Sequence, residues 1–98
     1  MIEITPHISI LYVHLLMRES QSLKDKRMIL RRLKDKVRAQ FNVSMAELDG
    51  QDKWQRSLLG FSMIGGDKRY MDQTMQNLLS FIESLREVEI SDHSLEFC

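Results

Sequence analysis

The segment His7–Met17 constrains the fold more than any other part of the sequence, because it is apolar at both odd and even positions. Strands exposed on one face alternate apolar and polar residues, so this pattern predicts a central strand covered on both sides. The apolar stretch is too short to span a bilayer, and His14 interrupts it. No lysine or arginine precedes it and no small-residue cleavage site follows it, so we do not expect a signal peptide.

The segment Ser22–Phe41 has the periodicity of an amphipathic helix. Ser22 and Asp25 have the spacing of a capping box, with Ser22 as the N-cap. At about 100° per residue, one face of the helix is apolar and suited to a core. It comprises Ile29, Leu30, Leu33, Val37 and Phe41. These features predict one continuous helix over residues 22–41.

Three more strands and a second helix follow along the chain. The predicted strands are Asn42–Asp49, Ser57–Ile64 and Glu87–Phe97, and Asp67 caps a helix that runs to about Leu85. The apolar parity changes within the last strand, so we expect a bulge near Ser91–His93 that keeps its apolar side chains on one face.

The resulting order β-α-β-β-α-β is typical of the α+β class and of the ferredoxin-like two-layer sandwich. Right-handed crossovers give a four-stranded antiparallel sheet with strand order 4-1-3-2, and both helices cover one of its faces. One such domain accounts for residues 1–98. Because the first strand is apolar on both faces, the uncovered face predicts a homodimer with two-fold symmetry.

The net charge of zero hides two charged regions of opposite sign. Residues 22–41 contain eight basic and two acidic residues, a local charge of +6, whereas residues 83–98 contain five acidic residues and one arginine, a local charge of −4. Five cations form a stripe beside the apolar face of the first helix, which we call the basic stripe: Lys24, Arg27, Arg31, Lys34 and Arg38. Cations one turn apart can follow a phosphate backbone, so the stripe predicts RNA contact; the alternative is a solvated helix face.

Two aromatic residues are candidate partner contacts. Leu11–Leu16 loosely resembles the first-strand motif of RNA-recognition domains, which stack bases on sheet aromatics. The third strand supplies one aromatic, Phe61, where two are expected, so we interpret Tyr12 as a core or dimer contact. Trp54 lies in a polar loop with Arg56, where it either contacts a partner or anchors the loop onto its own domain.

The sequence does not suggest catalytic chemistry. The three histidines lack metal-ligand spacing, and no serine or cysteine lies in a nucleophile motif. Gly65–Asp67 predicts a turn and a helix cap rather than an anion site, because Asp67 would repel an anion. The single cysteine, Cys98, cannot form an intrachain disulfide, which indicates a reducing compartment. We therefore expect no enzyme, no metal, no cofactor and no small-molecule substrate.

Three motifs occur in order along the chain: ESQSLKDKR at 19–27, FNVSMAE at 41–47 and QDKWQR at 51–56. Together they resemble the YlxP-like family of small bacterial proteins, a family of unknown function. The resemblance implies a ferredoxin-like fold and a cytoplasmic location. Some relatives are encoded near translation-initiation and ribosome-maturation genes, which implies a role linked to the ribosome. The chain differs from the family pattern in its N-terminal lead-in and in Asp49-Gly50, where relatives usually have Gly-His.

Two hypotheses of function follow from these observations. The first is a non-enzymatic module that contacts ribosomal RNA or ribosomal particles through the first helix. The second is a protein-interaction or regulatory homodimer that uses the uncovered sheet face and the Trp54 loop, without nucleic acid. RNA binding through phosphates predicts strong dependence on salt, whereas binding through an apolar face predicts little. A third reading, an enzyme with an unrecognised site, requires a concave pocket with perturbed titratable groups.

Overall fold

The computed structural model describes residues 2–98 and confirms the predicted order of elements; Met1 of the lead-in lies outside the described residues. The elements are β1 (His7–Leu16), α1 (Leu23–Gln40), β2 (Ser44–Asp49), β3 (Arg56–Gly65), α2 (Lys68–Glu83) and β4 (Glu89–Phe97). The strands form one antiparallel sheet in the order β2-β3-β1-β4, which is the predicted ferredoxin-like topology. Neither helix in the described part of the chain is long and apolar enough to cross a membrane.

The first helix begins where the capping box predicts. The Ser22 hydroxyl accepts a hydrogen bond from the Asp25 backbone N–H at 3.0 Å. The Asp25 carboxylate accepts one in return from the Gln21 backbone N–H, also at 3.0 Å, so the return bond reaches the residue before the N-cap. At the other end the Phe41 N–H donates to the Val37 carbonyl at 2.8 Å. The prediction of one continuous helix between Ser22 and Phe41 is therefore confirmed.

The hydrophobic core lies between the sheet and the two helices. The odd-numbered side chains of β1 point toward the helices, and those from Ser9 to Leu15 are almost completely buried. They pack with buried side chains of the other elements, among them Leu33 and Val37 of α1, Leu59 and Phe61 of β3, and Met75, Leu78 and Ile82 of α2. Each helix thus buries one apolar stripe, as its periodicity predicts.

The opposite face of the sheet, which we call the open face, is not covered by either helix. It carries the even-numbered side chains of β1 and β3 together with their neighbours on β2 and β4. Ile8 is 41% exposed and Ile64 is 68% exposed, while Tyr12 is half-buried. The prediction of a first strand covered on both sides is wrong for the single chain, because both right-handed crossovers place their helices on the same face.

Two bulges adjust which side chains face the core. In β4, His14 pairs with Asp92 while Leu15 pairs with Ile90, so Ser91 is the extra residue and the predicted bulge is confirmed. A second register shift, in β2, leaves Leu48 without a partner on β3 and was not predicted. Leu48 instead lies over Gly60, where an added Cβ would come within 2.7 Å of its Cδ1 atom. Only glycine therefore fits at position 60 while Leu48 keeps this position.

Replacing Ser22→Ala should lower the free energy of unfolding by about 1 kcal/mol, because the Asp25 N–H loses its capping acceptor. Urea unfolding followed by circular dichroism measures the loss. Gln21→Ala is the matched control, since Gln21 is exposed and contributes its backbone N–H to the cap. Equal stabilities of the two variants would contradict a capping role for Ser22.

Candidate nucleic-acid interface

The basic stripe lies on the outer surface of α1, as predicted. Four of its side chains are exposed and Lys34 is half-buried. Within residues 2–98, no member of the stripe has a carboxylate oxygen within 4.0 Å, whereas three other cations of the domain do. Asp35 borders the stripe and is exposed. The five positive charges therefore face solvent without an ion-pair partner among the described residues.

Two other cations of α1 are neutralised by carboxylates elsewhere in the fold. Arg32 lies about 140° around the helix from Arg27 and forms two hydrogen bonds to Glu87, at 3.2 and 2.9 Å. Lys26 is paired with Glu47 at 2.7 Å. Glu47 and Glu87 thus pair with cations on the core face and one flank of α1, whereas the stripe on the other flank has no carboxylate partner among residues 2–98.

Lys26 is a buried, ion-paired residue that the sequence analysis did not identify. Its side chain is only 2% exposed, and its ammonium donates to the Glu47 carboxylate and to the Gly50 carbonyl. The same Glu47 oxygen accepts a hydrogen bond from the Ser57 hydroxyl at 2.6 Å. A signal was present in the sequence, because Lys26 precedes Ile29 by three residues and therefore lies on the apolar face of the helix.

This cluster connects three elements, and its lysine and serine are almost completely buried. Lys26 is on α1, Glu47 on β2 and Ser57 on β3, and Gly50 begins the β2–β3 loop with a φ of +84°. A positive φ favours glycine. Gly50, whose carbonyl accepts the hydrogen bond from the Lys26 ammonium, is therefore suited to this turn. The Ser57 hydroxyl is buried and donates a hydrogen bond to a carboxylate, so it does not have the properties of an exposed nucleophile. The contacts of the cluster are structural.

The β2–β3 loop is anchored by Gln55 rather than by Trp54. The Gln55 side-chain amide donates to the backbone carbonyls of Arg18 at 3.0 Å and Ser20 at 2.8 Å. The Gln55 carbonyl accepts a hydrogen bond from the Met17 N–H at 2.9 Å. Trp54 is 55% exposed, so the loop keeps its position while most of the indole remains available to a partner.

Tyr12 lies on the open face, but it does not form a pair of stacking aromatics there. Its hydroxyl donates to the Glu96 carboxylate at 3.2 Å across the β1–β4 pair. Loss of solvent, followed by the bond to this carboxylate and its negative charge, raises the pKa of Tyr12 above the ordinary value of 10.0. Phe61 is fully buried on the helix side, so the one aromatic of the third strand faces away from Tyr12.

The predicted partner contacts occupy one face and one end of the molecule. Tyr12 is paired with Gly60, and Arg56 begins the same strand four residues earlier, about 13 Å away along the sheet. Arg56 is exposed and Trp54 precedes it by two residues in the loop. The structure therefore places Trp54 and Arg56 close together at the loop and Tyr12 near the centre of the open face.

Within residues 2–98 there is no group of three or more histidine, cysteine or acidic side chains that could hold a metal ion. Asp67 caps α2 by accepting hydrogen bonds from the Arg69 and Tyr70 backbone N–H groups at 3.0 and 3.2 Å. The first N–H groups of α2 are therefore occupied by a carboxylate, which confirms the predicted cap.

Replacing Lys26→Met should lower the free energy of unfolding by about 3 kcal/mol, because it leaves the Glu47 carboxylate and the Gly50 carbonyl without their buried cation. Arg32→Met is the matched control on the same helix. Its ion pair with Glu87 is about half exposed and should contribute less than about 1 kcal/mol. Urea unfolding of both variants measures the difference, and equal losses would show that Lys26 has no special structural role.

The pKa of Tyr12 should lie above its ordinary value of 10.0, because loss of solvent disfavours the phenolate and because the Glu96 carboxylate lies beside it. Glu96→Gln should lower the pKa of Tyr12 toward 10.0 while leaving part of the increase that comes from loss of solvent. A titration followed by NMR of ring-labelled tyrosine, assigned with Tyr12→Phe, measures both values. An unchanged pKa in Glu96→Gln would contradict the hydrogen bond.

Comparison with known proteins identifies the family. The chain matches a protein family described as "Protein of unknown function (DUF503)" over residues 8–95. It is 37% identical over 71 residues to the uncharacterized protein YlxP of Bacillus subtilis (strain 168), which covers 72% of this chain and 77% of that protein. The de novo designed protein Foldit4 is similar in fold, with a TM-score of 0.55 and 14% identity over 94% of this chain and 96% of the other. The predicted resemblance is confirmed, and the chain belongs to the DUF503 family.

Proposed function

We propose that this protein is a non-catalytic RNA-binding module of the cytoplasm, which contacts ribosomal RNA or ribosomal particles through the basic stripe of α1. The observation that carries the proposal is the separation of charges on that helix. Lys26 and Arg32 are paired with carboxylates, and the five cations of the stripe are exposed without such a partner among residues 2–98. Keeping α1 soluble does not require cations at all five positions, since any polar residue would do so.

The spacing of the stripe suits a polyanion. Neighbouring members are three or four residues apart, so they lie about 5–6 Å from one another on the helix surface. Screening in 0.1 M salt acts over about 10 Å, so adjacent charges act together on one phosphate backbone. Lys24 is in the first turn of α1, where the partial positive charge of the helix terminus adds to its own.

The acidic side of the domain would orient the bound RNA. Asp92 and Glu96 lie on β4 and are exposed on the open face, whereas α1 covers the other face of the sheet. Phosphates are repelled by these carboxylates and attracted by the stripe. The RNA would therefore approach from the helix side of the molecule.

Recognition would depend on phosphates and shape rather than on base sequence. Base stacking on a sheet needs exposed aromatics on one face, but Phe61 is buried under the helices and the Tyr12 hydroxyl is bonded to Glu96. Lysine and arginine contacts to phosphates carry no sequence information directly. We therefore expect similar affinity for different ribosomal RNA helices of equal length.

A binding role rather than an enzymatic one is supported by the state of the Lys26 cluster. Lys26 and Ser57 are each 2% exposed, and both are bonded to Glu47. A nucleophile must reach its substrate, whereas these groups are enclosed and already have partners. The Lys26 and Ser57 side chains thus hold β2 and the β2–β3 loop against α1.

The double substitution Arg27→Glu with Arg31→Glu should weaken RNA binding and leave folding nearly intact, because both side chains are exposed and unpaired. The test is a salt titration with a fixed ribosomal RNA hairpin and with purified ribosomal particles. If all five cations contact phosphates, log K of the wild type should fall with log salt with a slope of about −4. Removal of two contacts should reduce the magnitude of that slope by about 2.

A variant with the same change in net charge is the control. Lys36→Glu with Arg69→Glu replaces two exposed cations that lie outside the stripe. It should bind RNA much more tightly than the stripe variant, and nearly as tightly as the wild type. No binding of the wild type at 50 mM salt, or equal weakening of both variants, would show that the stripe is only a solvated helix face.

If the basic stripe does not bind RNA, the alternative function is protein recognition, and a different observation favours it. Trp54 is 55% exposed in a loop whose position is held by Gln55, and Arg56 lies beside it. Tryptophan and arginine are enriched among the residues that contribute most to protein interfaces. Binding of this kind would change little with salt, so the same titration separates the two functions.

A further inference from the structure

The open face carries adjacent apolar side chains that no element of residues 2–98 covers. Ile8 and Ile64 are directly paired across β1 and β3 and are 41% and 68% exposed. Leu48, on the neighbouring β2 strand, is 47% exposed. Ile10, Tyr12 and Leu58 lie between these residues and Leu16 lies at the far end of β1; all four are half-buried, and His14 and Ser62 are interspersed among them. Neighbouring apolar side chains of this kind mark an interaction surface, whereas single exposed apolar residues do not.

We infer that a second copy of this chain covers the open face, in a two-fold dimer whose axis runs parallel to the strands and between β1 and β3. The open face is large enough for such an interface. Its strands have 10, 6, 10 and 9 residues, and at about 4.8 Å between strands and about 3.3 Å per residue they give a face of about 550 Å² in projection. This is of the order of the ~800 Å² that each partner buries in a standard interface.

The register of β1 against β3 makes this face complementary to itself. With the axis between these two central strands, β1 of one copy lies over β3 of the other, and each β1 side chain meets the residue with which it pairs in its own chain. Ile8 then meets Ile64, and Tyr12 meets Gly60 with the Leu48 side chain that lies over it. The largest side chain that β1 presents on this face, Tyr12, therefore lies against the position of β3 that has no side chain.

The charges favour this axis over one perpendicular to the strands. A perpendicular axis would place β4 over β4, so that Asp92 of each copy faced Glu96 of the other and Tyr12 faced Tyr12. The parallel axis places β4 over β2 instead. By register, Asp92 then meets Asp49 at the end of β2, where Asp52 and Lys53 of the β2–β3 loop and Arg56 of β3 line the same depression, and Glu96 meets Ser44. The acidic strand thus meets one carboxylate in a region of zero net charge rather than a second acidic strand.

The proposed dimer leaves the basic stripe free. Two sheets that pack face to face lie about 10 Å apart, and their strands are rotated by about 30° because each sheet is twisted. In this arrangement α1 and α2 of both copies are on the outside. Self-association and RNA binding therefore use opposite faces of the domain, and failure of one proposal does not imply failure of the other.

The first test is the mass in solution and its response to a charge on the open face. Light scattering at high micromolar concentration should return twice the chain mass of 11.6 kDa. Ile64→Lys should return 11.6 kDa, because the dimer would bury two unpaired ammonium groups. Met28→Lys adds the same charge at a 48% exposed apolar residue of α1 and should remain dimeric. A monomeric wild type, or a dimeric Ile64→Lys with an unchanged circular dichroism spectrum, would overturn the inference.

The second test measures the axis without any substitution. Cys98 is the sole cysteine and is exposed, and its backbone pairs with Ile8 at one end of the open face. With the parallel axis, both copies of Cys98 lie at the same end of the dimer, with Cα atoms about 17 Å apart; with the perpendicular axis they lie about 28 Å apart. Spin labels on Cys98, measured by pulsed electron paramagnetic resonance, should give the shorter distance after allowance for the label arms. The longer distance, or no dipolar coupling, would overturn the proposed arrangement.

Discussion

Both helices of this fold pack on the same face of the sheet, as right-handed crossovers require, and the rest of the structure depends on that constraint. It places α1 and α2 on one face of the sheet, where the odd-numbered side chains of β1 are buried, and leaves the even-numbered ones on the other. The first strand is apolar on both faces. Its helix-side face is buried in the hydrophobic core, whereas its other face remains as a second apolar surface. The molecule consequently has two distinct outer surfaces, a basic helix surface and a partly apolar sheet surface with an acidic edge.

The buried ion pair between Lys26 and Glu47 connects these surfaces to the loop between β2 and β3. A buried pair contributes little net stability compared with apolar residues of the same size, because both charges must leave water. Its consequence here is positional, since the ammonium also bonds the Gly50 carbonyl, and Glu47 also bonds Ser57. Together with Gln55, which bonds the segment before α1, it holds the loop in one place and keeps Trp54 exposed.

The distribution of charge also becomes meaningful only in three dimensions. Along the chain, α1 is simply a basic segment, and the C-terminal region is an acidic one. In the fold, Glu47 and Glu87 neutralise two cations of α1, while Asp92 and Glu96 of β4 face away from the helix. The five cations of the stripe have no carboxylate partner among residues 2–98, and this lack of partners is a property of the tertiary structure.

The sequence by itself determined the elements, their order and their handed arrangement, because capping, periodicity and crossover geometry act locally or follow general rules. Ser22 as a cap and Ser91 as a bulge are both of this kind. The contact between Lys26 and Glu47 was decided by the tertiary structure alone, since the two residues are distant in sequence and many carboxylates were available as partners. The same holds for Leu48, whose side chain lies over Gly60 on the neighbouring strand, where no side chain occupies the space. Local patterns specify which faces are apolar or charged, whereas only packing decides which charges meet and which remain free.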